Sequence, residues 1–199
     1  MSLPISRYQS PIKLNTLDSF CIIQHISLFG NNYKAIYDPT TMDFNVQNKI
    51  MLQIGNKKYI LQQYHFHVPS EHVIDNRFYS SEIHYVFAEE PAIKNDKIKH
   101  ICCSDYNNNL LVISRVIDDC PNNLVNLEDY PVKLPCDFFE YDGGLTTGDF
   151  TTPVRWIVGI KPIMLSINQI KPIAKETRIL QPINGRLITR GCNNIQIFS

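Results

Sequence analysis

Short strand-like segments bounded by turn residues recur along the whole chain, and almost nothing repeats with a helical period. That pattern confines the fold to the mainly β classes. Residues 50–68, IMLQIGNKKYILQQYHFHV, form a hairpin pattern, with two apolar runs meeting at Gly55 and Asn56 beside two lysines. SSEIHYVF (80–87) reads as a strand between polar flanks. LLVISRVI (110–117) and VRWIVGIKPI (154–163) read as buried, β-branched strands, and LITRGCNNIQIF (187–198) as the last. The best helical candidate is LSINQIKPIAKE (165–176), with Ser166 as its cap and Pro172 as its end. A short turn or helix is expected in 120–135, and a solvated connection in the charged stretch 89–100. No internal repeat or low-complexity segment interrupts the pattern. With 199 residues, 44% of them hydrophobic, one domain over 1–199 is expected, mainly β with a few short helices (α+β).

Four of the six histidines fall within residues 62–87, QQYHFHVPSEHVIDNRFYSSEIHYVF. Strand side chains alternate faces, so His65 and His67 share a face, and Gln63 lies on it too. The next strand puts Glu82 and His84 two apart. The short link between the strands allows antiparallel pairing, which would set His84 opposite the His65/His67 pair. Cross-strand Cβ separations of ~5 Å suit three imidazoles converging on one ion. Three histidines and a water form an open, catalytic zinc site. A coordinated imidazole usually donates its other N–H to an oxygen; Gln63 could serve His65, and Glu82 could serve His84. His72 follows Glu71 in a loop-like stretch and is left out of the ligand set. A second reading fits the same letters: His65, His67 and Glu71 match a cupin pattern, in which Glu71 would bind iron or manganese. That pattern expects a glycine where Phe78 stands.

Residues 141–158, YDGGLTTGDFTTPVRWIV, separate the two readings. Together with QYHFHVPSEH and SSEIHYVF they resemble the QFHFH…SEH, ELH and YPGSLTTPP…WIV motifs of the α-class carbonic anhydrases. QSPI (9–12) is similar to that family's N-terminal QSPI, and RILQPINGR (178–186) to its RPxQPLNGR. The matches keep their order over residues 9–186. The His65–His84 spacing resembles that of the shorter, bacterial-type members.

The resemblance implies a single domain around a large twisted, mostly antiparallel sheet with short peripheral helices. It implies that His65, His67 and His84 bind Zn2+, with Gln63 and Glu82 supporting His65 and His84. It implies that Thr146 accepts a hydrogen bond from zinc-bound hydroxide and that Glu71 accepts one from Thr146. Val86, Val112, Leu145, Val154 and Trp156 match the apolar wall that receives carbon dioxide; Thr147 and Asn45 match polar pocket positions. The implied activity is reversible hydration of carbon dioxide to bicarbonate and a proton. An alternative is a weak or inactive relative serving as a binding or attachment module for a glycan or protein.

The chain departs from the family in several places. Met42 occupies the position of the histidine proton shuttle, which predicts proton-transfer-limited turnover; Asp43, His25 and His100 are conceivable substitutes. Gly148 and Asp149 replace two prolines, which predicts a looser, more polar loop. Glu176 replaces an asparagine two before Arg178. The N-terminal aromatic cluster and the disulfide cysteines of bacterial members have no clear counterparts.

Charge and cysteine usage complete the reading. Nineteen basic and nineteen acidic residues cancel, so there is no electrostatic reason to expect nucleic acid as a partner. No apolar run reaches the ~18 residues of a membrane helix, and the N-terminal segment lacks a secretory pattern; a cytoplasmic or otherwise non-secreted location is expected. The six cysteines make no CxxC pair, and Cys102 and Cys103 would point to opposite faces of a strand. The oligomeric state is left open.

Overall fold

The computed structural model describes residues 8–30, 32–90, 109–193 and 196–198. Fourteen strands follow in chain order: β1 (Lys13–Leu14), β2 (Phe20–Gln24), β3 (Ile26–Phe29), β4 (Ala35–Asp38), β5 (Asp43–Val46), β6 (Met51–Ile54), β7 (Lys57–His67), β8 (Val73–Ile74), β9 (Ser81–Glu89), β10 (Leu110–Asp119), β11 (Asp137–Gly144), β12 (Pro153–Leu165), β13 (Thr189–Asn193) and β14 (Gln196–Phe198). β1 and β8 form a two-stranded pair. The other twelve form one mixed sheet in the order β14-β3-β6-β7-β9-β10-β12-β11-β13-β2, with β4 on β5 and β5 on β7. β10–β12, β13–β2 and β14–β3 pair in parallel, and the remaining ladders of this sheet are antiparallel.

The expected hairpin is present: Ile54 pairs with Lys57 across the two-residue turn of Gly55 and Asn56. Gly55 has φ +58° there, which a residue without Cβ adopts at no steric cost. The central strands β9 and β10 are buried along almost their whole length, as strands covered on both faces must be. Their side chains alternate between two cores. Phe66, Ile83, Tyr85, Phe87, Leu111 and Ile113 belong to the larger one. Val86, Val112, Val154, Trp156 and Tyr141 belong to the other.

The helical expectation is met only in part. Helix α1 covers just Ile167–Ile170, and a 3-10 turn at Lys171–Ile173 follows it. Ser166 gives no side-chain cap, and Pro172 sits inside the 3-10 turn, not beyond the end of a longer helix. The reason lies downstream: residue 175 is recruited into a bridge with His67, so the chain must extend early. Residues 120–135 form turns, not a helix: the Asn123 N–H donates to the Cys120 carbonyl (2.9 Å) and a second turn lies at 128–129, and the segment inserts Leu127, Tyr130, Val132 and Leu134 into the larger core. Among the described residues no helix is long and apolar enough to cross a membrane. Cys120 and Cys136 carry free thiols. His100, Cys102, Cys103 and residues 91–108 lie outside the described residues.

The two ends of the resemblance interlock. The Arg186 guanidinium donates to the carbonyls of Gln9 and Asp142. Arg178 Nη1 donates to the Ser10 carbonyl (2.9 Å), and its guanidinium lies 3.8 Å from the ring centroid of Phe150. Gln9 Nε2 donates to the Phe150 carbonyl (3.0 Å). Residues 9–10, 178 and 186 thus clamp the segment that follows β11, where Thr146 sits.

Candidate metal centre

Register creates the site. His65 is the direct antiparallel partner of His84, and His67 of Glu82; Ser114 on β10 continues the row beyond His84. The rings of His65, His67 and His84 lie 5.0, 5.3 and 4.7 Å apart, centroid to centroid. One nitrogen from each lies within 4.8 Å of the others. All three side chains are nearly out of water.

Each imidazole has its other nitrogen fixed. His65 Nδ1–H donates to Gln63 Oε1 (2.9 Å). His67 Nδ1–H donates to the Glu176 carbonyl (3.0 Å). His84 Nε2–H donates to Glu82 Oε1 (2.9 Å). Nε2 of His65 and Nε2 of His67 are buried and have no hydrogen-bond partner, and Nδ1 is the nitrogen His84 has left to offer. Burial pushes His65 down to about 3, His67 well below its usual range and His84 below it as well, against the pull of Glu82. The three rings are therefore neutral at pH 7, with lone pairs turned inward, as metal ligation requires.

Glu82 is the hub beneath the three histidines. Its Oε2 accepts from the backbone N–H groups of Glu71 and His72, both at 2.8 Å. Its Oε1 accepts from His72 Nδ1 (2.6 Å), from His84 and from the Ser114 hydroxyl. Burial alone would raise this carboxyl, but His72 and His84 hold it well below the usual range. His72, expected in a loop, is fully buried. Its Nε2 lies 2.6 Å from the Tyr141 hydroxyl, which is 3.0 Å from Ser10 Oγ. His72, Glu82 and His84 also come within 4.8 Å of one another, but there the carboxylate lies between two imidazole N–H groups, and all of its lone pairs are engaged.

Glu71 is buried beside the ligands, with Oε1 3.5 Å from His67 Nδ1 and Oε2 3.9 Å from His84 Nε2. Its Oε1 accepts the backbone N–H of Arg178 (2.9 Å). Burial raises its carboxyl to about 8, opposed by the Thr146 hydroxyl and the Arg178 N–H; Oε2 keeps no well-aligned partner. Thr146 is buried and Thr147 half-buried. Val86, Val112 and Trp156 are successive cross-strand partners in the row two residues along from the histidines. Val154 pairs with Leu110, and Leu145 packs on the same core from the loop. Asn45 is exposed on β5, opposite Gln63.

The loop after Thr147 carries its own hydrogen bonds where the family has prolines. Asp149 Oδ1 accepts from the Thr151 N–H (2.9 Å) and hydroxyl (2.6 Å), and its Oδ2 from the Thr152 hydroxyl (2.8 Å). These bonds lower its carboxyl, and Gly148 turns the chain at φ +68°. Asp149 is a turn staple. Met42 is 39% exposed at the turn entering β5, and His25 is exposed between β2 and β3. Three contributors escaped the sequence reading. Glu176 acts through its carbonyl and Arg178 through its N–H, roles that any residue type can fill. Asp43 was visible as a neighbour of Met42 but could not be placed.

A profile of the eukaryotic-type carbonic anhydrases matches residues 4–191. A carbonic anhydrase from a Nostoc species is 29% identical over 202 residues, spanning 92% of this chain and 76% of that one. One from Pectobacterium atrosepticum is 27% identical, over 90% and 78% of the two chains. Among solved structures, the α-carbonic anhydrase of Thermovibrio ammonificans in complex with sulfanilamide superposes with a TM-score of 0.71 at 20% identity, over 93% of this chain and 88% of that one. The Photobacterium profundum α-carbonic anhydrase gives 0.67 at 24% identity, over 92% and 89%. Both share this fold.

Proposed function

Because the chain belongs to the eukaryotic-type carbonic anhydrase family, we propose that it catalyses the reversible hydration of carbon dioxide to bicarbonate and a proton, with His65, His67 and His84 holding a zinc ion. The observation that carries this reading is the convergence of three neutral imidazoles, two of them with an orphaned, buried Nε2. A nitrogen stripped of both water and protein partners is costly unless an ion supplies what is missing. Three nitrogen donors with a fourth position open suit zinc. Zinc, when bound, acts as a Lewis acid that lets water ionise near neutral pH.

The chain's own residues do the rest. Gln63, the Glu176 carbonyl and Glu82 fix the three tautomers, so each ring presents a lone pair inward. The Thr146 hydroxyl oxygen accepts a hydrogen bond from the attacking oxygen's O–H and its own O–H donates one to Glu71, which leaves one lone pair of that oxygen to face the substrate. For this Glu71 must be ionised, and a dication in the histidine cage would pull its raised carboxyl back down. Val86, Val112, Leu145, Val154 and Trp156 supply a dry apolar wall for an uncharged, linear molecule, while Thr147 and Asn45 offer polar contacts at its rim. Met42 carries no transferable proton, so export of the product proton relies on buffer and limits turnover.

Retention of His65, His67, His84, Thr146 and Glu71 together favours an enzyme over a non-catalytic binding module. Zinc analysis combined with carbon dioxide hydration kinetics across pH tests the proposal. One zinc per chain and activity that His84→Ala abolishes together with the zinc are expected. Stoichiometric zinc without hydration would favour the binding module, and bound iron or manganese would favour a different metalloprotein.

A further inference from the structure

The pairing of β5 with β7, Phe44 opposite Tyr64 and Asn45 opposite Gln63, points one step further to Asp43 opposite His65. The side chains follow that register. Asp43 Oδ1 lies 3.3 Å from His65 Nδ1, the same nitrogen that donates to Gln63 at 2.9 Å. Lys175 Nζ lies 2.6 Å from that carboxylate oxygen. Lys175 is itself anchored on the ligand strand, for its backbone N–H donates to the Phe66 carbonyl (2.8 Å) and it bridges to His67. The next residue, Glu176, supplies the carbonyl for His67. One short segment therefore reaches two ligand histidines: His67 directly, and His65 through the carboxylate it clamps.

The pair sits largely out of water, with side-chain exposures of 16% for Asp43, 14% for Lys175 and 5% for His65. Burial opposes the ionised form of Asp43, but His65 and Lys175 outweigh it and hold the carboxyl below its usual range. Oδ1 has no well-aligned hydrogen bond despite the two close nitrogens, so it can take a larger share of the His65 N–H as the ring settles on an ion. A carboxylate acceptor makes an imidazole a stronger ligand than an amide oxygen does. It also offsets the Lys175 cation, which would otherwise repel a dication held by the three histidines.

We infer that Asp43 is a second positioning group for His65, sharing its Nδ1–H with Gln63 and tightening the metal site. The inference rests on the proposed role of His65 as a zinc ligand.

The test uses full-length zinc-loaded protein and measures zinc release to excess dipicolinate, together with the His65 Nδ1–H proton resonance in nitrogen-15-labelled samples. Asp43→Ala is expected to release zinc about 10–100-fold faster, with Asp43→Asn in between. Gln63→Ala alone should lose less than the double variant implies, because Asp43 takes over the shared proton; the double variant should exceed the product of the single effects. The His65 resonance should move upfield in Asp43→Ala, while that of His67 Nδ1–H, bonded to a main-chain carbonyl, stays in place. Asn preserves the shape of Asp, so a folding failure of the Ala variant leaves the Asn result to decide. Unchanged release with an unmoved His65 resonance would overturn the inference and reduce Asp43 to the ion-pair partner of Lys175. A wild-type chain that binds no zinc would instead overturn the metal reading, and the same resonance in the metal-free protein would then decide whether Asp43 accepts from His65.

Discussion

Replacing Glu82 by alanine isolates the hub of the site. Five donors meet on this carboxylate: the N–H groups of Glu71 and His72, the rings of His72 and His84, and the Ser114 hydroxyl. The hydroxyl can rotate and the rings can adjust, but the two backbone amides cannot turn away. An unsatisfied buried donor costs about 1–3 kcal/mol, so these two alone account for roughly 4 kcal/mol. That is a quarter or more of the ~5–15 kcal/mol by which domains are stable, and at ~2–4 °C per kcal/mol for a chain of this size it lowers Tm by about 8–16 °C. Glu82→Gln keeps the shape and one acceptor oxygen but puts an amide N–H₂ among donors, and it should fall between Ala and wild type. The assay is thermal unfolding of metal-free protein, so that loss of metal does not enter. A metal-free Glu82→Ala variant that melts within ~2 °C of wild type would refute the reasoning, because it would mean that the five donors find other partners at no cost.

Three further outcomes are expected. Met42→His should raise the hydration rate at low buffer concentration, whereas the wild type should be rescued by small imidazole buffers; a wild-type rate equal at low and high buffer would sink the missing-shuttle reading. Gly143→Ala should destabilise by about 1–3 kcal/mol in urea titrations, because the new Cβ would lie 2.1 Å from Ser10 Oγ and break the Ser10–Tyr141–His72 chain; an unchanged midpoint would mean that Ser10 is free to move. Metal-free stability should peak near pH 6.5. Folded His65, His67 and His84 titrate below their unfolded value of ~6.5, so at these rings the unfolded chain takes up protons first and stability is lost as pH falls, by up to about 1.4 kcal/mol per unit for each ring. Glu71, raised to about 8, works the other way and alone governs the range between 8 and 6.5, where its stabilisation grows as pH falls; a flat profile from pH 8 to 5 would contradict both directions.

How much of this was legible in the sequence depends on which atoms do the work. Strand alternation placed Gln63, His65 and His67 on one face and predicted His84 opposite, because periodicity is a property of side chains that any reader of the letters can count. The resemblance names Thr146, Glu71 and the positions of an apolar wall, and the sheet brings Val86, Val112 and Trp156 into one cross-strand row. The short helix at 167–170 was overestimated because the pattern from 165 to 176 carries no record of the bridge from residue 175 to His67. The loss of prolines at 148–149 is visible locally, while the three hydrogen bonds that Asp149 accepts from Thr151 and Thr152 depend on a turn the letters do not specify. His72 was set aside as a loop residue because its burial comes from β9, β11 and β12 closing over it, which involves residues 10, 82, 141 and 156.

The same distinction separates the family departures that matter from those that do not. Glu176 stands where the family has asparagine, yet the atom that meets His67 is its carbonyl oxygen, which every residue carries; the contact does not depend on which side chain stands there. Lys175, one residue earlier, acts through its side chain and reaches Asp43, so its charge enters the balance around His65. Met42 is also a side-chain departure, but the effect proposed for it is a missing proton carrier and not an altered metal site. The two consequences should therefore dissociate: changes at Asp43 act on how tightly the ligand set holds its ion, and changes at Met42 act on how fast a proton leaves. A Met42→His protein whose zinc release matched wild type while its buffer dependence fell would show the two functions to be carried by adjacent residues of one turn, independently of one another.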